Sequence, residues 1–81
     1  MRRDEEFFGE CELALIYMAR RLKRALAAQQ IFDARGIDYL LETGPYLSGL
    51  LFRTSKVGVF FYTKAEDEEH ARTLLREAGI K

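Results

Sequence analysis

The side chains able to do chemistry are few. His70 is the only histidine and Cys11 the only cysteine among 81 residues. Nucleophilic catalysis needs a base beside the nucleophile. No Ser-His-Asp set can be built on one histidine that follows an acidic run in a helix, and Cys11 has no base near it in sequence. A lone cysteine forms no internal disulfide, and one Cys plus one His gives no zinc-ligand spacing. Glu66, Asp67, Glu68 and Glu69 fall where a helix begins and its dipole favours negative charge. Gly44-Pro45-Tyr46-Leu47-Ser48-Gly49 lacks the Gly-Lys-Ser/Thr ending of a phosphate loop. The expectation is a protein that is not an enzyme, with no catalytic residue, no metal and no cofactor.

One cluster resists that bland reading. Arg20, Arg21, Lys23 and Arg24 crowd the start of an expected helix. Positive charge there opposes the helix dipole at roughly 0.3–1 kcal/mol per residue. No Ser, Thr, Asp or Asn stands directly before it to cap the free N–H groups. A small anionic ligand on Arg20, Arg21 and Arg24 would answer both problems. Neutralisation by Glu10, Glu12, the acidic leader or a partner chain is the plainer alternative.

The elements that must position these groups follow from patterning. Residues 1–10 are charged apart from Met1, Phe7, Phe8 and Gly9 and read as a mobile or loosely packed leader. Residues 11–81 form a single α+β domain. Residues 12–19 are an apolar run of strand length. Alternation puts Leu13, Leu15 and Tyr17 on one face, and Ala14, Ile16 and Met18 on the other. Residues 20–35 are rich in helix formers, with Leu22, Ala25, Leu26, Gln29 and Phe32 as the buried stripe and Gly36 as the stop. Residues 37–42 read as the second strand, 43–49 as a loop, and 50–53 as resumed extended structure. Residues 54–56 read as a turn, and Val57–Tyr62 as the third strand. Thr63 and Glu66 have capping-box spacing ahead of a last helix whose buried stripe is Ala71, Leu74, Leu75 and Ala78.

This β-α-β-β-α order is a ferredoxin-like sandwich lacking its fourth strand, with two helices on one face of an antiparallel sheet. Both helices end alike, in Asp33-Ala34-Arg35-Gly36-Ile37 and Arg76-Glu77-Ala78-Gly79-Ile80, which suggests two related half-units. The strands look apolar on both faces while two helices cover one. An uncovered face bearing Tyr17, Phe60 and Tyr62, beside a free sheet edge, predicts self-association as a homodimer. Phe7 and Phe8 folding back over that face is the monomeric alternative.

Residues 12–80 resemble a family of small bacterial signal-transducing domains, fold-related to the nitrogen-regulatory PII proteins. The resemblance rests on the opening strand and helix, on Ile31-Phe32-Asp33-Ala34-Arg35-Gly36-Ile37, and on Val59-Phe60-Phe61 leading to Ala65-Glu66-Asp67-Glu68-Glu69-His70-Ala71-Arg72-Thr73-Leu74-Leu75. The family often has a proline before the acidic run, where this chain has Lys64-Ala65. The resemblance implies a PII-like fold and a role in signal transduction through protein binding. It carries over no nucleotide-binding residue.

Composition narrows the partners. Thirteen basic and thirteen acidic residues give zero net charge, which argues against a general nucleic-acid binder. Ile16-Tyr17-Met18 and Lys56–Tyr62 resemble the base-stacking strands of RNA-recognition modules, but Val57 stands where a glycine is expected. A single-stranded nucleic-acid-binding domain is therefore the alternative reading. No apolar run is long enough to span a bilayer, so no membrane partner is expected. The opening Met1-Arg2-Arg3-Asp4-Glu5-Glu6 is too acidic for a signal peptide, and the expected location is cytoplasmic.

Overall fold

A computed structural model describes residues 1–48 and 54–80, without side chains for 46–48 and 54–55. The fold is α+β, with a four-stranded mixed sheet. The elements are β1 (Arg2–Arg3), α1 (Glu5–Phe8), β2 (Leu13–Ala19), α2 (Leu22–Arg35), β3 (Tyr39–Ser48), β4 (Thr54–Lys64) and α3 (Glu68–Glu77). The strand order is β1-β3-β4-β2. β4 runs antiparallel to both long neighbours, whereas β1 lies parallel to β3. The wholly antiparallel sheet expected from sequence is thus corrected by a short strand from the leader.

The segment read as a loose leader carries β1 and α1. The Met1 ammonium donates to the Ile37 carbonyl, and the Tyr39 amide donates to the Met1 carbonyl. Arg3 meets Asp38 at 2.9 Å. Asp4 caps α1 by accepting from the Phe7 amide at 3.0 Å. Phe8 is only 2% exposed, and burying such a ring is worth about 1.5–3 kcal/mol.

The main core lies between the sheet and the α2–α3 pair. Ala25, Ala28 and Phe32 of α2, and Ala71, Leu74 and Leu75 of α3, close over Ile16, Ala19, Tyr39 and Phe61. The sheet supplies the bulk: Phe61 lies 5.6 Å from Tyr39 and 6.0 Å from Phe32, ring centre to ring centre. Alanines on α2 let the helix approach those rings. That rotates its buried stripe away from the expected one, leaving Leu22 70% and Leu26 50% exposed. Ala78, the residue that closes α3, is likewise exposed.

Three further expectations change. β3 runs straight through the expected 43–49 loop as far as Ser48, with Pro45 opposite Val57. Residues 54–56 are ladder rather than turn, while the extended structure expected for 50–53 lies outside the described residues. No capping box forms: Thr63 is buried in β4 and its hydroxyl donates to the Lys64 carbonyl, while a 3₁₀ turn over Ala65–Asp67 precedes α3.

Both helices do end as their sequences suggest. Gly36 and Gly79 take positive φ, 69° and 75°. The amides of Ile37 and Ile80 then reach back five residues to Phe32 and Leu75, at 3.0 Å each.

Candidate functional site

Three surfaces carry the residues singled out above: the second face of the sheet, its edges, and the start of α2.

The second face begins from a local irregularity. Leu15 pairs with Tyr62, but Tyr17 pairs with Phe61, so β2 carries one extra residue at Ile16. A bulge of this kind shifts every later side chain by one position. Opposed residues of an antiparallel ladder share a face. Tyr17 therefore joins Phe61 on the helix-covered side, their rings 6.0 Å apart. Met18 crosses to the second face, opposite Phe60. The grouping of Tyr17 with Phe60 and Tyr62 is corrected: only the latter two share a face. Simple alternation could not reveal this, because the run 12–19 is apolar on both parities.

α1 shields part of that second face. Phe8, Leu13, Leu40 and Tyr62 line a cavity of about 370 Å³ rimmed by Glu5 and Glu42. Phe7 stays 43% exposed, beneath Arg3 at 4.6 Å and Lys64 at 5.5 Å from its ring centre. Such cation–π contacts are worth about 0.5–1 kcal/mol when exposed. Farther along, Leu15 is 43% exposed, and Met18 and Phe60 are half-buried. Here Gly44 pairs with Gly58, and a Cβ at Gly44 would stand 3.5 Å from the Phe60 ring.

The edges are guarded. β2 is the outer strand on one side, and Arg72 of α3 donates to its Leu15 carbonyl at 2.9 Å while held by Glu68 at 3.0 Å. On the other side β1 covers Tyr39 and Leu40. Beyond them β3 carries Pro45, which has no N–H to offer a new strand. A charged side chain over an edge carbonyl, a bulge and an edge proline all discourage strand addition. The free edge expected from the missing fourth strand is thus obstructed, not open.

At the start of α2, Arg21 occupies the N-cap with extended backbone and makes no capping bond through its side chain. The first turn holds no acid. Arg20, Arg21, Lys23 and Arg24 are all exposed. Arg20, Arg21 and Arg24 line a cavity of about 440 Å³ with Tyr17 and Met18. Arg21, Lys23 and Arg24 also border a second of about 490 Å³ that reaches Gly79 and Ile80. The cluster sought from sequence is therefore one contiguous surface.

The lone reactive groups stand apart. Cys11 is exposed in the segment between α1 and β2, and His70 is exposed on α3. Among the described residues, no group of three or more His, Cys, Asp or Glu side chains is arranged to hold a metal ion. No helix among the described residues is long and apolar enough to cross a membrane. Tyr39 is the group among the described residues with a displaced titration: burial pushes its hydroxyl up, against a hydrogen bond with Gln29 that lowers it, and the Asp33 carboxylate pushes it further up. Asp33 also meets the Met1 ammonium at 3.5 Å, so these groups tie the leader to the end of α2.

Comparison with known proteins adds no assignment: no family model, no curated protein and no solved structure matches the chain.

Proposed function

We propose that the chain is a non-enzymatic protein-interaction module of the signalling kind, acting through self-association as a homodimer. The observation that carries this is the part of the second sheet face left uncovered by α1, where Leu15, Met18 and Phe60 lie together, each partly exposed. Guarded edges favour a partner arriving face-on over one adding a strand. Two such faces brought together by a two-fold axis would bury these side chains symmetrically. The order of the three long strands, β2 beside β4 beside β3, supports the ferredoxin-like reading without its last strand. The PII-like relation rests on sequence resemblance and belongs to the same proposal, as does a cytoplasmic setting. Sedimentation velocity tests it: Phe60→Lys is expected to convert the dimer to monomer without loss of folded signal by circular dichroism. A wild-type chain that stays monomeric at high micromolar concentration would refute it.

A small anionic ligand at Arg20, Arg21 and Arg24 is a second reading, favoured by the uncapped α2 start and its adjoining cavity. The same protein, titrated with phosphate, ATP and cyclic nucleotides in a thermal-shift assay, should gain stability. That gain should vanish in Arg21→Ala/Arg24→Ala. Single-stranded RNA belongs in the same titration, because Phe60 and Tyr62 share an aromatic face. A salt-dependent RNA complex in place of the dimer would favour the nucleic-acid alternative.

A further inference from the structure

Zero net charge conceals a strong separation of charge. The ladder fixes which residues share an end of the molecule: Leu13 lies against Lys64 and Leu40 against Tyr62, whereas Ala19 lies against Val59. At the first end sit α1, the turn into β2 and the start of α3. They contribute Asp4, Glu5, Glu6, Glu10 and Glu12, then Glu66, Asp67, Glu68 and Glu69. At the other end sit the start of α2 and the finish of α3, with Arg20, Arg21, Lys23, Arg24 and Arg76, against which Glu77 is the one acid of α3's last turn. Basic groups such as Arg2, Arg3 and Lys64 dilute the acidic end without cancelling it.

The two poles are held apart along the molecule. The fourteen residues of α2 span about 21 Å at 1.5 Å per residue. That is roughly twice the Debye length of about 10 Å at 0.1 M salt. The α2 dipole adds to the separation, because its positive end lies at the basic pole. Each pole also exposes an apolar side chain: Leu22, 70% exposed, between Arg21 and Lys23, and Phe7, 43% exposed, which follows Glu6 but lies beneath Arg3 and Lys64. An apolar centre ringed by charge is the anatomy of a protein contact.

We infer that the basic pole is a docking surface for the acidic pole of a second copy of this chain, joined head to tail. The chain itself presents the complementary surface, and a single-sign polyanion would leave the acidic pole with no role. The contact is heterologous, so it propagates from copy to copy unless it closes into a ring. It differs from the face-to-face dimer in its dependence on salt, because opposite charges steer and hold it.

Sedimentation velocity on the full chain tests this at about 0.01 M and about 1 M NaCl, where the Debye length is roughly 30 Å and 3 Å. The expected result is a concentration-dependent rise in mass at low salt, lost at high salt. Arg21→Glu/Lys23→Glu and Glu10→Lys/Glu12→Lys, each alone, should lose the low-salt rise. Mixed in equal amounts they should regain it. All these changes lie at exposed positions, and circular dichroism checks that each variant folds. Equal wild-type masses at the two salt concentrations would overturn the inference, as would folded variants that fail to restore association on mixing. A dimer removed by Phe60→Lys but insensitive to salt reports on the sheet face alone, so either contact can fail without the other.

Discussion

The two long helices finish in the same way and begin in opposite ways. α2 and α3 both close on a left-handed glycine, followed by an isoleucine whose amide bonds five residues back. At their starts they diverge. α2 opens on Arg21 with no acid in its first turn, whereas α3 opens on Glu68 and Glu69 behind a 3₁₀ turn. The likeness answers a common need, since each ending returns the chain to the same core through Ile37 or Ile80. The difference is where surface chemistry is written, because helix starts face solvent and set the sign of each pole.

The endings can be separated by their load. Gly36→Ala and Gly79→Ala each force a side chain into left-handed backbone, at about 1–2 kcal/mol. No neighbour lies within 4 Å of either added Cβ, so the cost is conformational. Gly36 must also deliver the buried Ile37 and the Tyr39 ladder. Urea unfolding should show Gly36→Ala as the costlier change, near the top of that range, and Gly79→Ala as the milder. Equal losses would mean that the two endings carry the same load.

The starts offer the next effect. Arg21→Asp supplies the missing cap to α2 and should raise stability by about 1 kcal/mol. Glu69→Lys places a cation in the first turn of α3 and should lower it by about 0.3–1 kcal/mol. A thermal melt in which both substitutions moved stability the same way would erase the contrast.

The smallest effect is read by pH. Burial favours the neutral Tyr39 hydroxyl in the folded chain, raising its titration above the unfolded value. Its contribution is therefore complete below the ordinary tyrosine range near about 10 and lost as pH rises through the higher folded value. Tyr39→Phe should flatten that alkaline loss, measured as the difference in urea midpoint between wild type and variant. An unchanged alkaline slope would remove Tyr39 from the account.

Much of this architecture was legible because local chemistry and global packing agree. Gly36 and Gly79, the acidic opening of α3 and the aromatic run around Phe61 each signal an element regardless of context. The basic cluster from Arg20 to Arg24 was found the same way, because four cations at a helix start stand out against a known dipole. What was hidden depends on partners distant in sequence. Gly44-Pro45 reads locally as a loop, yet pairing with Val57 and Gly58 holds it in a ladder. Leu22 and Leu26 fit a buried stripe until the bulk of Tyr39 and Phe61 selects alanines instead. The guarding of the β2 edge by Arg72 spans 57 residues, and no periodicity encodes it.

The extra residue at Ile16 has a consequence of its own. It acts as a change of phase midway along β2, so the first half of the strand and the second obey opposite rules about which side chains may be apolar. Closing the ladder with every residue kept would place Ile16 opposite Phe61, turning Tyr17 out of the core and Met18 into it, whereas deleting Ile16 would leave both on the faces they now occupy. For this chain the length of a strand is information in its own right, read together with the identity of its residues.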